Sequence, residues 1–258
     1  MSIARLSNPR RISSAGIAAA GGFYGTVYGS LRAGLVAYWP MNETATSGDV
    51  TVQDWTGRGN NLTSNNTVPS VTGKVGSGRE FTSANSEWLG AAGANNDLKF
   101  ADGRDWTIAG WIWAAAWANG TYFIGNDASG NREILFSLST GYSNSFACTF
   151  GPGGVASASV AAGSSLATST WHHFVFTYKH DIRRLRGRAN NLDSETATVP
   201  AGSLAQSANP LNLGRRQFSG ANAYFTGRLD EVAKWDRVLT TTEMETLWNS
   251  GNGIDLRL

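Results

Sequence analysis

From Leu35 onward the chain alternates short runs of β-branched and aromatic residues with turn-forming residues, and one stretch near its end carries a full set of helix signals. This alternation limits the fold more than any other feature. Leu35-Val36-Ala37-Tyr38-Trp39, stopped by Pro40, reads as a strand, as do residues 106–113, 133–138, 145–150 and 171–178. Such side chains suit a pleated, half-buried surface. Short strands are expected at Arg79-Glu80-Phe81 and Glu87-Trp88-Leu89, and residues 210–214 and 224–235 complete the set. Turns such as Thr56-Gly57-Arg58-Gly59-Asn60-Asn61 separate them. Many close-spaced strands with one helix argue for an all-β sandwich of two antiparallel sheets, not a β/α barrel. The helix is expected after Thr240, which forms a capping box with Glu243. Leu239 and Met244 sit as a hydrophobic staple, Leu247 and Trp248 extend the apolar face, and Gly251 is the expected left-handed cap.

Composition agrees with one large domain. The 258 residues are 41% hydrophobic and only 16% charged, with 31 Gly and 10 Trp, which suits tight turns around an aromatic core. The net charge of +2 is too small to imply a nucleic-acid partner. The run Arg183, Arg184, Arg186 and Arg188 reads as a solvated hairpin. Cys148 is the single cysteine, so neither an internal disulfide nor a cysteine metal cluster can form, and its strand-like flanks suggest a buried thiol. No apolar run reaches the ~18 residues of a membrane span.

Residues 1–33 differ from the rest. A basic start is followed by a Gly- and Ala-rich stretch and then by Phe23-Tyr24-Gly25-Thr26-Val27-Tyr28. Neither the helical nor the strand period covers it. It is expected to be an extended N-terminal arm, with residues 34–258 forming the sandwich. Phe23, Tyr24 and Tyr28 are the expected contacts to a partner surface; the alternative is a plain flexible tail. Arg10-Arg11 and the weakly apolar residues 17–22 faintly resemble a leader, but no convincing cleavage site follows.

Six blocks, in order, resemble the laminin-G-like domains of the concanavalin A-like jelly-roll superfamily. They are Gly34 to Pro40, Asp54-Trp55-Thr56-Gly57-Arg58-Gly59-Asn60-Asn61-Leu62, Gly76-Ser77-Gly78-Arg79-Glu80-Phe81, residues 106–113, Thr170-Trp171-His172-His173-Phe174-Val175-Phe176-Thr177-Tyr178, and residues 225–240 with Leu229-Asp230-Glu231-Val232. The resemblance covers about residues 34–252. The chain departs from the family pattern at Tyr178-Lys179-His180-Asp181 and at Arg188-Ala189-Asn190-Asn191. The fold survives this, since Asn tolerates left-handed backbone almost as Gly does, but loop-borne ligand specificity does not transfer.

Catalysis is not expected. Glycoside hydrolysis needs two carboxylates facing each other across a cleft, and the Glu-x-Asp-x-x-Glu spacing of sandwich glucanases is missing. Glu80, Glu87 and Glu133 are isolated. His172 and His173 are neighbours on a strand, so they face opposite ways and read as structural. In Leu229-Asp230-Glu231-Val232 the apolar residues are three apart, which suggests a bulge. The resemblance implies one structural Ca²⁺ held by Asp230, with carbonyls from a turn such as Asn42-Glu43 or Gly57 completing its oxygens. The alternative is that Asp230 only accepts hydrogen bonds from backbone amides. On residues 106–113, Trp106 and Ile108 share one face and Trp111 and Trp113 the other, where they form a sugar-stacking platform unless something covers them.

The resemblance implies binding outside cells. Together with the arm, it leads to the expectation of a non-catalytic phage virion component, either capsid decoration or tail-associated adhesion, attached to other virion proteins through residues 1–33 as part of an oligomer or larger assembly. Host-surface glycans are the other expected partner. A free bacterial carbohydrate-binding protein is the alternative, and a polysaccharide hydrolase or lyase is the third reading.

Overall fold

The computed structural model describes residues 28–93, 95–100, 103–128, 131–140, 144–150, 158–163, 165–201, 207–217 and 222–257. Its strands, in chain order, are β1 (Leu35–Trp39), β2 (Thr51–Val52), β3 (Leu62–Asn65), β4 (Ser70–Thr72), β5 (Ser77–Phe81) and β6 (Trp88–Ala91). Then come β7 (Trp106–Ala114), β8 (Thr121–Ala128), β9 (Asn131–Ser139), β10 (Ser145–Phe150), β11 (Ala158–Ala162) and β12 (Trp171–Lys179). The last six are β13 (Arg184–Ala189), β14 (Leu192–Thr198), β15 (Asn212–Leu213), β16 (Arg215–Arg216), β17 (Ala223–Tyr224) and β18 (Gly227–Trp235), followed by helix α1 (Thr241–Trp248).

Two antiparallel sheets face each other. The first runs β14-β13-β12-β7-β18-β5-β4 with β1 also on β18, and the second runs β11-β10-β9-β8-β15-β6-β3-β2. This is the jelly-roll sandwich expected from the alternation. Strand periodicity explains the filling between the sheets. On β7, Trp106, Ile108 and Ile112 point inward and are buried with Phe123, Phe136 and Phe146 of the second sheet. Phe123 meets Phe174 at 5.2 Å between ring centroids, and Phe136 meets Phe176 at 5.2 Å. Cys148 is buried in the same core, and burial pushes its thiol well above the usual range.

β8 escapes sequence reading because Gly125 and Asn126 are poor strand formers. Gly125 is tolerated because the Leu135 side chain occupies the space a Cβ would need, 2.7 Å away.

A second core covers the outer face of the first sheet. It joins Tyr38, Ala109, Val175, Ala233 and Trp235 on the strands to Leu239, Met244 and Leu247 at the helix, Ile254 and Leu256 after it, and Leu31 before β1. The capping box of α1 forms as expected: the Thr240 hydroxyl accepts from the Glu243 N–H (3.3 Å), and the Glu243 carboxylate accepts from the Thr240 N–H (2.8 Å). Gly251 has the expected left-handed backbone (φ 84), but the helix is capped two residues earlier, by Asn249 (φ 46), because Asn also tolerates this region.

Residues 28–32 are helical, and Leu31 joins this second core with Tyr28 packed against it. Leu31 is fully buried, and its carbonyl accepts from the Trp235 indole at 2.6 Å. The Arg237 guanidinium donates to the carbonyls of Ser30 and Ala33 and grips Glu243, whose carboxylate also accepts from the Ser30 hydroxyl. Arg237 holds that carboxyl down to about 2. The end of the segment expected as an arm is therefore packed on the sandwich. Among the described residues no helix is long and apolar enough to cross a membrane.

Candidate functional site

The turn between β2 and β3 is built around Asp54. Its buried carboxylate accepts the backbone N–H of Tyr38 (3.1 Å), Thr56 (3.0 Å) and Asn60 (3.0 Å). Gly57 and Gly59 supply the left-handed backbone the turn needs, at φ 78 and φ 80. The Asn60 amide donates to the Val36 carbonyl (2.7 Å), and the Trp39 indole donates to the Asn60 carbonyl (2.7 Å). The Trp55 N–H donates to the Tyr38 carbonyl (2.9 Å). The turn is thus stitched to β1, and Trp55, between two residues the turn requires, is held out with 55% of its surface exposed. Among the described residues, Trp55, Ile182 and Leu192 are the exposed large apolar side chains, and only Trp55 is aromatic.

A cavity of about 340 Å³ opens beside Trp55. Leu35, Leu256, Arg32 and Arg257 line it, and buried Tyr38 lies at its floor. The Arg257 guanidinium sits 5.0 Å from the Trp55 ring centroid. It also donates from Nε to both oxygens of Asp255 at 2.9 Å.

Beneath the cavity lies a buried acid network. The bulge expected in β18 is present: the register with β7 jumps between Asp230 and Ala233, and Glu231 has φ 51. Leu229 and Val232 stay in the inner core, while Asp230 and Glu231 are both buried beside the cover of the outer face. The Tyr38 hydroxyl bonds the Glu231 carboxyl and lies 3.1 Å from the Asp255 carboxylate, and it accepts the Leu256 N–H at 3.0 Å. One phenolic proton cannot serve two carboxylates. Burial and the Asp230 charge push Glu231 up to about 9, so Glu231 brings the second proton. Burial, with Glu231 next in effect, raises the Tyr38 phenol far above its usual range. Against the cost of burial, the hydrogen bonds and charge of Arg257 hold Asp255 below the usual carboxylate range.

Asp230 does not fit a calcium ligand. Its Oδ2 accepts the N–H of Lys74 (2.7 Å) and Val75 (2.8 Å), and its Oδ1 accepts the N–H of Glu231 (2.9 Å). Three lone-pair directions of the carboxylate therefore take donors. A Cβ on Gly73 would stand 2.6 Å from Oδ2, so the β4–β5 turn closes over the carboxylate. Of the carbonyls expected to complete the ion's oxygens, that of Glu43 accepts from the Arg79 guanidinium at 2.6 Å, and the Asn42 side-chain oxygen accepts the Ser77 N–H at 2.7 Å. Asp230 and Asn42 hold the turn between β4 and β5. Burial pushes Asp230 up to about 8 against the pull of its backbone donors.

Trp111 is not a stacking platform. It does face away from Trp106, but it is 1% exposed. Trp248 stacks on it, Lys74 Nζ lies 4.7 Å from its ring, and the backbone at Gly253 passes so close that a Cβ there would meet its indole at 3.0 Å. Trp113 is half-buried under the Arg228 guanidinium, 4.6 Å from the ring centroid, and Arg228 in turn pairs with Glu80. Tyr28 is half-buried against the second core. Phe23 and Tyr24 lie outside the described residues. His172 and His173 do face opposite ways. His172 bonds the Ala167 carbonyl (3.0 Å), whereas His173 is buried against Trp111, and burial pushes it down to about 3.

Trp55, Tyr38, Arg32 and Arg257 were not singled out in the sequence. The available signal was Trp55 itself, a large apolar residue inside a Gly-rich turn where no core can use it.

A family model named Laminin_G_3, of the concanavalin A-like lectin/glucanases superfamily, matches residues 85–245, more than half of the chain. No curated protein matches by sequence. Among solved structures the fold is similar to the binding domain of Paraclostridial Mosquitocidal Protein 1, at 16% identity and a TM-score of 0.68, covering 86% of this chain and 53% of that one. It is also similar to domain 4 of AbnA, a GH43 extracellular arabinanase from Geobacillus stearothermophilus, in complex with arabinotriose, at 16% identity and a TM-score of 0.58, covering 81% of this chain and 96% of that one. A third is the binding domain of Botulinum neurotoxin DC in complex with rat synaptotagmin II, at 12% identity and a TM-score of 0.66, covering 85% and 52%. The chain spans about half the length of the two toxin domains. At these identities the likeness is one of fold. With its sandwich, its bulged last strand and its capped C-terminal helix, the chain belongs to the Laminin_G_3 family of the concanavalin A-like lectin/glucanases superfamily.

Proposed function

We propose that this chain is a non-catalytic binding jelly roll that recognises a glycan through the cavity beside Trp55. The observation that carries this is the exposed indole itself, presented by a hydrogen-bonded turn beside a concave, partly polar site. Trp offers a flat apolar face for sugar C–H groups, and concave sites with a few convergent polar groups are where small ligands bind. Two of the similar structures are named as binding domains, and the arabinanase domain is seen with arabinotriose.

The site chemistry favours binding over hydrolysis. The phenol at the floor is pushed up, the opposite of an activated nucleophile, and the residues lining the cavity include no carboxylate. Attachment to a virion or another extracellular assembly falls, in this reading, to residues 1–27 with Phe23 and Tyr24, since residues 28–33 are already engaged by the sandwich. A glycan array probed in parallel with the full chain and with Trp55→Ala tests the proposal. Retention of a glycan by the full chain and its loss in the variant support it; an empty array, or equal signals, overturns it.

A further inference from the structure

We propose that the Trp55 cavity selects a pyranose bearing a carboxylate, such as a uronic acid, over its neutral counterpart; this rests on the reading of the cavity as a glycan site. The two charged side chains that line it, Arg32 and Arg257, are both arginines. Arg257 is placed for two tasks. Its guanidinium lies over Trp55, which keeps 55% of its surface exposed, and both Nε and Nη2 already donate to the Asp255 carboxylate. That internal pair takes only part of a fork with five N–H donors, and planar forks of this kind match carboxylates.

A sugar ring resting on Trp55 therefore has guanidinium groups within the same cavity. Asp255 and Arg257 form an internal pair, burial and the Asp230 charge keep Glu231 protonated, and Asp230 is enclosed by the amides of Lys74, Val75 and Glu231, while Arg32 adds a second guanidinium to the lining. The volume of about 340 Å³ lies in the range of small-ligand sites.

The test is calorimetric titration of the full chain with methyl β-D-glucuronide and with methyl β-D-glucoside, which differ only in the carboxylate. The glucuronide is expected to bind about tenfold more tightly, the scale of one charge-assisted contact. Arg257→Gln should bring the ratio close to one. Should Arg257→Gln lower the melting temperature through the loss of Asp255, Arg32→Gln reads the same loss of preference from the other side of the cavity. Trp55→Ala should abolish binding of both sugars. Equal affinities, or tighter glucoside binding, overturn the charge selection and leave the glycan reading standing. Binding of neither sugar also overturns it, and the glycan array then decides the broader reading separately.

Discussion

Trp111 on β7 and Trp248 on α1 lie nearly parallel, with ring centroids 5.3 Å apart and 18° between their planes. The contact ties the C-terminal helix to the sheet and removes Trp111 from solvent. Trp248→Ala should therefore lower stability by about 2 kcal/mol, below the usual cost of a large-to-small change because Trp248 is half-buried. Chemical denaturation measures it. An unchanged midpoint would mean that the helix does not depend on this pair.

Leu31 should behave as a core residue although it lies in a segment that reads as an arm. Leu31→Ala is expected to cost about 2–4 kcal/mol. A deletion through residue 33 should be less stable than one through residue 27 by at least that much, because it also removes the carbonyls that Trp235 and Arg237 use. Equal melting temperatures for the two deletions would contradict this packing.

The strands and the capping box were legible because they rest on local rules: alternation, turn residues and the Thr240–Glu243 spacing. The bulge was legible too, since Leu229 and Val232 stand three apart. What covers the outer face was not. A period of two says that Trp111 points away from Trp106, but not that Trp248 and Gly253, far along the chain, will land on it. Leu31 was hidden for a related reason, standing between Ser30 and Arg32 with only Tyr28 before it and Leu35 after it to hint at a helical face. The cavity was unreadable because Arg32, Trp55 and Arg257 converge from three separate segments.

The buried acids predict an alkaline weakness. Asp230 and Glu231 have folded pKa values raised to about 8 and about 9, whereas in the unfolded chain they titrate near the ordinary value of about 4. Their contribution is full below that ordinary value and is lost as the pH rises through the folded values, with a slope of up to about 1.4 kcal/mol per pH unit for each group. Melting temperature should therefore fall from about pH 4 to about pH 9 and level off above that. Glu231→Gln, which mimics the protonated acid, should flatten part of that fall, and an identical pH profile in the variant would refute the assignment.

Asp230 should matter through its amides and not through a metal. Asp230→Asn turns one acceptor into a donor facing an N–H, at a cost of about 1–3 kcal/mol. EDTA should leave the melting temperature of the native chain unchanged, and added calcium should not raise it. A drop with EDTA that calcium restores would reinstate Asp230 as a ligand.

Recognition at Trp55 has one decisive consequence for affinity. Calorimetric titration of the strongest array ligand into the native chain, Trp55→Ala and Trp248→Ala tests it most directly. At least about a tenfold loss of affinity is expected in Trp55→Ala with an unchanged melting temperature, and retained affinity in Trp248→Ala below its melting range. Native affinity in Trp55→Ala would contradict it.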